Sequence, residues 1–110
     1  MTQVTQKNGE QHWYQDDKLH RLDGPAIIGN NYNEWYINGE LHRTDGPAVT
    51  IVDYNTRECI ERSWWQNGKL HRIDGPAIIT NSKQEWFQNG KHHRVDGPAI
   101  ELSDGTKIWF

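Results

Sequence analysis

Residues 35–50 read WYINGELHRTDGPAVT, and the same string returns with small changes at 13–28 (WYQDDKLHRLDGPAII), 64–79 (WWQNGKLHRIDGPAII) and 86–101 (WFQNGKHHRVDGPAIE). A pattern copied four times marks a repeat architecture, in which each unit is too small to bury its apolar face alone and stacks on its neighbours. The shared unit is Trp-aromatic-x-Asn-Gly-x-Leu-His-Arg-x-Asp-Gly-Pro-Ala. Its histidines fall at His20, His42, His71 and His93, in steps of 22, 29 and 22 residues, so one connection carries seven extra residues. A fifth aromatic pair, Trp109-Phe110, follows the last copy.

Turn-forming residues lie midway between each Ala and the next Trp: Asn30-Asn31, Asn81-Ser82 and Asp104-Gly105, with Asn8-Gly9 ahead of the first Trp. Asn, Asp and Gly tolerate the positive φ that tight hairpins demand, so each aromatic pair is expected on the second strand of a hairpin. Two-residue turns at Asn8-Gly9 and Asp104-Gly105 would set Val4 opposite Trp13 and Ile100 opposite Trp109. Three-residue loops centred on Asn31 and Ser82 would pair Ile27 with Trp35 and Ile78 with Trp86, and a long hairpin centred on Thr56-Arg57 would pair Val49 with Trp64. Side chains alternate along a strand, so this register puts the Trp and β-branched columns on one face, the expected core. The second aromatic column, Tyr14, Tyr36, Trp65, Phe87 and Phe110, then looks the other way, opposite Ala26, Ala48, Ala77 and Ala99 in the last four hairpins. Either the Leu-His-Arg-x-Asp-Gly-Pro loops fold over this ladder, or Tyr36, Trp65 and Phe87 line an open groove. The expected fold class is all-β: one domain over residues 1–110, with about ten short antiparallel strands in a row of hairpins.

The Asn-Gly-x-Leu-His-Arg-x-Asp-Gly-Pro-Ala stretch behind an aromatic strand resembles the MORN repeat, whose hairpins carry Asn-Gly-x-x-His-Gly-x-Gly in the corresponding place. The resemblance spans almost the whole chain. This sequence departs from the pattern by inserting Arg-x-Asp after the His and by placing Pro or Ala at the second motif Gly, a variant similar to repeat proteins of large bacteriophages and giant viruses. The resemblance implies a MORN-like repeat sheet and a scaffold or interaction role, with contact to acidic lipids suggested for some members. It names no ligand.

Composition narrows the function classes. With 110 residues, 34% of them hydrophobic, and six Trp, buried area must come mainly from rings in one body. A net charge of −3 supplies no broad positive field, so nucleic acid is not an expected partner. No apolar run reaches membrane-spanning length and the start MTQVTQKNGEQ is polar, so the expectation is no membrane and a cytoplasmic location, the host cytoplasm if the chain is viral. The lone Cys59 suits a reducing compartment and is expected as a buried or half-buried inert thiol.

Four copies of His-Arg-x-Asp invite comparison with the catalytic loop of protein kinases, but the nucleotide loop, strand Lys and metal-binding Asp-Phe-Gly that must accompany it are missing. An active site is assembled once, whereas a structural device is copied with its unit, so no enzyme activity is expected. Arg21, Arg43, Arg72 and Arg94 stand two residues before Asp23, Asp45, Asp74 and Asp96, near enough for a ladder of charge-assisted hydrogen bonds. Equivalent His side chains lie two strand spacings apart, about 9.5 Å, while zinc holds each ligand at about 2 Å, so neither metal nor cofactor is expected. His92-His93, where His replaces Leu, reads as a solvent-softened end of the array.

Two further features point to partners. The extra residues of the third hairpin make Asp53, Tyr54, Asn55, Arg57 and Glu58 a candidate contact patch, or a tolerated insertion. The apolar edge at Trp109 and Phe110 is a template for pairing with a second copy, giving a homodimer. The leading functional expectation is a non-catalytic protein binder, a phage or viral protein that engages and inhibits a host enzyme or defence factor through Trp, Tyr and Arg columns. The alternative is a sponge for a nucleotide signal, with Tyr36, Trp65 and Phe87 stacking a base and Arg43 and Arg72 holding phosphates. A lipid-surface role fits poorly with the negative charge and the absence of a basic amphipathic element.

Overall fold

Asn-Gly dipeptides set the outline of the chain, because both residues of a two-residue turn of type I′ need positive φ and Asn and Gly reach it at least cost. The computed structural model describes residues 3–110 and finds this geometry at Asn8-Gly9, Asn38-Gly39, Asn67-Gly68 and Asn89-Gly90, with Asp16-Asp17 in its place in the first repeat. Strands flank every one of these turns. They are β1 (Gln3–Lys7), β2 (Glu10–Gln15), β3 (Lys18–Leu19), β4 (Ile27–Ile28), β5 (Tyr32–Glu34), β6 (Tyr36–Ile37), β7 (Glu40–Leu41), β8 (Val49–Val52) and β9 (Cys59–Ser63). The series continues with β10 (Trp65–Gln66), β11 (Lys69–Leu70), β12 (Ile78–Thr80), β13 (Lys83–Glu85), β14 (Phe87–Gln88), β15 (Lys91–His92), β16 (Ile100–Leu102) and β17 (Lys107–Ile108). The described residues contain no helix.

The main sheet is antiparallel and runs β1-β2-β4-β5-β8-β9-β12-β13-β16-β17, the hairpin row that the repeat pattern predicts, with β3 added beside β2. The short pairs β6-β7, β10-β11 and β14-β15 form three further hairpins. The chain leaves the main sheet at Trp35, Trp64 and Trp86, each a corner between two strands (β5 stops at Glu34 and β6 begins at Tyr36, for example), whereas Trp13 lies within the continuous β2. The molecule is accordingly a slab of 44 × 32 × 17 Å.

The register differs from the expected one in four of the five hairpins. Val4 does pair with Trp13. Elsewhere Ile27 pairs with Glu34, Val49 with Ser63, Ile78 with Glu85 and Ile100 with Ile108. The cause is loop length. Asn30-Asn31 and Asn81-Ser82 close turns one residue shorter than expected, and the last loop is one longer, residues 103–105, with Gly105 at φ +93. In the long hairpin the register shifts between Ile51 and Val52. A slip of one residue carries every side chain to the opposite face.

From the second hairpin on, Trp therefore meets Ala where a β-branched residue is expected. The N–H groups of Trp13, Trp35, Trp64 and Trp86 each donate to the carbonyl of Ala26, Ala48, Ala77 and Ala99 at 2.8 Å. Because the next hairpin repeats the pairing, each of the first three Ala sits between two Trp along one row across the sheet. These Ala are 0–2% exposed, and a larger side chain there would collide with an indole. Ile27, Val49, Ile78 and Ile100 lie on the other face beside His12, Glu34, Ser63 and Glu85.

On the Asn-Gly side, three hydrogen bonds join each repeat to the next. The backbone N–H of Asn38, Asn67 and Asn89 donates to the Nδ1 of His20, His42 and His71, each at 3.0 Å. The following Gly39, Gly68 and Gly90 N–H groups donate to Leu19, Leu41 and Leu70, and Arg21, Arg43 and Arg72 N–H groups donate to the carbonyls of Tyr36, Trp65 and Phe87. His20, His42 and His71 thus accept through Nδ1 from the next unit.

Candidate functional site

One cage recurs in all four repeats, built from residues at constant spacing: Trp at position i, Arg at i+8, Asp at i+10 and Gly at i+11. The guanidinium carbons of Arg21, Arg43, Arg72 and Arg94 lie 4.0, 3.9, 3.9 and 3.8 Å from the ring centres of Trp13, Trp35, Trp64 and Trp86. Each Nε donates to the Asp two residues on, at 2.8–3.3 Å, and each Nη1 donates to the carbonyl of the Pro four residues on, at 3.1–3.2 Å. A methyl group on Gly24, Gly46, Gly75 or Gly97 would come within 2.6–2.9 Å of the guanidinium carbon. The motif Gly is there to let the Arg plane lie flat between the indole and the backbone. A cation held on an indole contributes about 0.5–2 kcal/mol, rising as water is excluded.

The expected ion-pair ladder is present, within each repeat. The loops that carry it cover the Trp ladder, and neither expected treatment of the second aromatic ladder matches that arrangement. Arg94 adds a bond to Glu101 at 3.0 Å. The Arg guanidinium beside Asp23 and Asp45 holds both carboxyls below the usual carboxylate range.

Between successive loops open clefts of one kind. The largest two, of 620 and 610 Å³, lie between loop 43–46 and Trp64 with Arg72, and between loop 72–76 and Trp86 with Arg94. Smaller equivalents of 420 and 290 Å³ lie at Trp35 and Trp13. Gln66 and His71, or Gln88 and His93, complete the larger two. At the loop crests the residue between Arg and Asp points outward: Leu22, Ile73 and Val95 are 77–90% exposed, and Thr44 is exposed in the same place. These crest residues escaped the sequence reading. The available signal was an aliphatic side chain set between two charges in three of four loops.

The second aromatic column is finished differently in each repeat. On this face the position two before the aromatic ring meets its polar handle: Tyr14 OH lies 3.2 Å from His12 Nδ1, Tyr36 OH donates to Glu34 Oε1 at 2.8 Å, and Trp65 Nε1 donates to Ser63 Oγ at 2.8 Å. Phe87 has no handle. There buried Glu85 pairs instead with Lys83 at 2.7 Å and with His92 Nε2 at 2.9 Å, and the His92 ring packs on Phe87 at 4.1 Å. His92 is consequently an integrated part of the packing, not a softened end. Tyr32 donates to Glu10, a bond that pushes its phenol up to about 12. Burial first, and then the Glu34 bond, push Tyr36 up to about 12 as well.

The candidate residues are thus divided between two faces. Arg43 and Arg72 belong to the Trp cages, while Tyr36, Trp65 and Phe87 share the face of Glu34, Ser63 and Glu85; the structure does not bring the stacking rings and the phosphate-holding cations together. At the tip of the long hairpin, Asp53 Oδ1 accepts from the N–H groups of Asn55 and Thr56, Arg57 holds positive φ and reaches the carbonyl of Asn30, and Tyr54 is exposed. Glu58 accepts from Asp53 N–H through its carbonyl. Asp53 and Arg57 therefore organise the loop, and its exposed ring is Tyr54. Cys59 is exposed, contrary to the expected burial, because the register shift at Val52 leaves it beside this loop at the end of β9. Trp109 and Phe110 are 66% and 76% exposed, and Phe110 stacks on His92 at 4.4 Å. Comparison with protein-family models, with curated proteins and with solved structures returned no significant match.

Proposed function

We propose that the chain is a non-catalytic protein-binding module that uses the clefts and crests of its Trp face. The observation that carries this reading is the row of exposed crests at hairpin pitch, three of the four positions aliphatic (Leu22, Ile73 and Val95, with Thr44 between the first two), on loops that the Arg cages hold. Exposed apolar side chains on a preorganised scaffold supply contact area at small ordering cost, and Trp and Arg beneath them are the residue types that dominate interface energy. A repeat sheet of the MORN kind, a cytoplasmic setting and a viral inhibitor of a host enzyme or defence factor agree with this reading. No helix among the described residues is long and apolar enough to cross a membrane.

The nucleotide alternative is less well served. Each cage Arg already lies on an indole and bonds an Asp and a Pro carbonyl, which leaves it fewer donors for a phosphate.

The test is affinity capture from cell lysate with the native chain and with a variant carrying Leu22→Ser, Ile73→Ser and Val95→Ser. A partner retained by the first and lost by the second, with no heat on titration of either with nucleotides, is the expected result. Equal capture by both would remove the crest from the interface.

A further inference from the structure

The clefts recur at the pitch of one hairpin, two strand spacings or about 9.5 Å. Among regular chain conformations one repeats at that interval. A polyproline II helix takes three residues and about 9.3 Å per turn, so every third side chain falls on one side. An extended strand brings its third residue about 10 Å along but on the opposite side, and two turns of α-helix advance about 10.8 Å and lose register by more than 1 Å per cleft.

Two further observations describe what such a segment would meet. The indole N–H groups of Trp35, Trp64 and Trp86 have no acceptor among the described residues, whereas Trp65 donates to Ser63, and no buried side-chain nitrogen or oxygen lacks a partner. The three donors are therefore not sealed from water, and the rings that carry them line the clefts. A polyproline II backbone makes no internal hydrogen bonds and offers its carbonyls outward. Within each ion pair the Arg is turned inward and the Asp outward: side-chain exposure is 21–25% for the Arg and 78–87% for the Asp. The crests thus present carboxylates at the cleft interval on a chain of net charge −3.

We propose that the Trp face receives a basic polyproline II segment of a partner protein, lying across the strands with every third side chain in a successive cleft. Its carbonyls accept from the indoles, its Lys or Arg residues meet Asp45, Asp74 and Asp96, and its prolines pack against Thr44, Ile73 and Val95. The twist of the sheet turns each cleft relative to the last, so one straight segment engages two or three clefts. This assignment rests on the protein-binding reading and names its partner chemistry.

The experiment uses two labelled fifteen-residue peptides of one composition, measured by fluorescence anisotropy. One repeats Lys-Pro-Pro; the other holds the same five Lys in an order that breaks the three-residue period. The periodic peptide is expected to bind about tenfold more tightly. Trp64→Phe, which keeps a ring under Arg72 and removes the donor, is expected to weaken it by about two- to tenfold. Asp74→Asn should weaken it and flatten its salt dependence. Equal affinity for the two peptides would mean attraction by charge alone and would overturn the proposal, as would indifference to both substitutions. If neither peptide binds while the crest variant still loses its captured protein, the polyproline assignment falls and the protein-binding reading stands. If the crest variant keeps that protein, the underlying reading falls instead.

Discussion

The two faces of the main sheet solve the same packing problem in different ways. The Trp face copies one cage four times, with Arg-to-ring distances that agree within 0.2 Å. The opposite face uses a different polar pair in every repeat: His12 with Tyr14, Glu34 with Tyr36, Ser63 with Trp65, Glu85 with His92. A copied device is held by the backbone geometry of its unit, so any change inside it meets the same obstacle everywhere. A varied face needs only that each residue and its partner change together. Repeats can diverge on one face without disturbing the other.

The largest effect is expected where the copied face is cut. Trp64→Ala removes an indole from between Ala48 and Ala77 and from under Arg72, and should cost about 3 kcal/mol in urea unfolding; a loss under 1 kcal/mol would show that the cages are not the core of the fold. Gly75→Ala comes next. Its methyl would fall 2.9 Å from the Arg72 guanidinium carbon, and displacing the Arg should cost about 1–3 kcal/mol. Because Gly75 holds no positive φ, the same variant combined with Arg72→Ala should cost less than the sum of the single changes, and strict additivity would argue against the steric account.

On the varied face the expected effects are smaller and coupled. His92→Leu, the residue of the other repeats, leaves buried Glu85 with Lys83 alone and should cost about 1 kcal/mol. Installing the whole set of the third repeat, Glu85→Ser, Phe87→Trp and His92→Leu, should recover most of that loss in thermal melts. The smallest effect concerns pH. The Tyr36 phenol is pushed up to about 12 from an ordinary 10.0, so its contribution is complete below pH 10 and is lost as pH rises through 12. Native protein should lose thermal stability across that window more steeply than Tyr36→Phe. Parallel profiles would show that neither burial nor the Glu34 bond holds the phenol protonated in the folded chain.

The fold class, the order of the hairpins and the Val4–Trp13 pair were legible because they depend on repetition and on one unambiguous Asn-Gly turn. The register of the other hairpins was not, since Asn30-Asn31 and Asn81-Ser82 fit a loop of either two or three residues and one residue decides the face. The small hairpins at Asn38-Gly39, Asn67-Gly68 and Asn89-Gly90 carried the strongest turn signal in the sequence. Their strands are only two residues long, too short to show alternation, and so the dipeptide reads as part of a consensus. Arg on Trp was hidden by distance along the chain: a contact between positions eight apart has no local periodicity behind it. The clefts and crests inherit that difficulty, because they exist only once the Arg has folded its loop back.

The joints at His20, His42 and His71 carry one more implication. The His42–Asn67 bond spans 25 residues and the other two span 18, yet all three measure 3.0 Å. The seven additional residues lie in the outer hairpin β8-β9 and its loop, away from the Asn-Gly side where units lock together. Outer loops are thus mechanically uncoupled from assembly of the array, and foreign segments could be grafted at residues 30–31 or 81–82 as freely as nature lengthened 53–58.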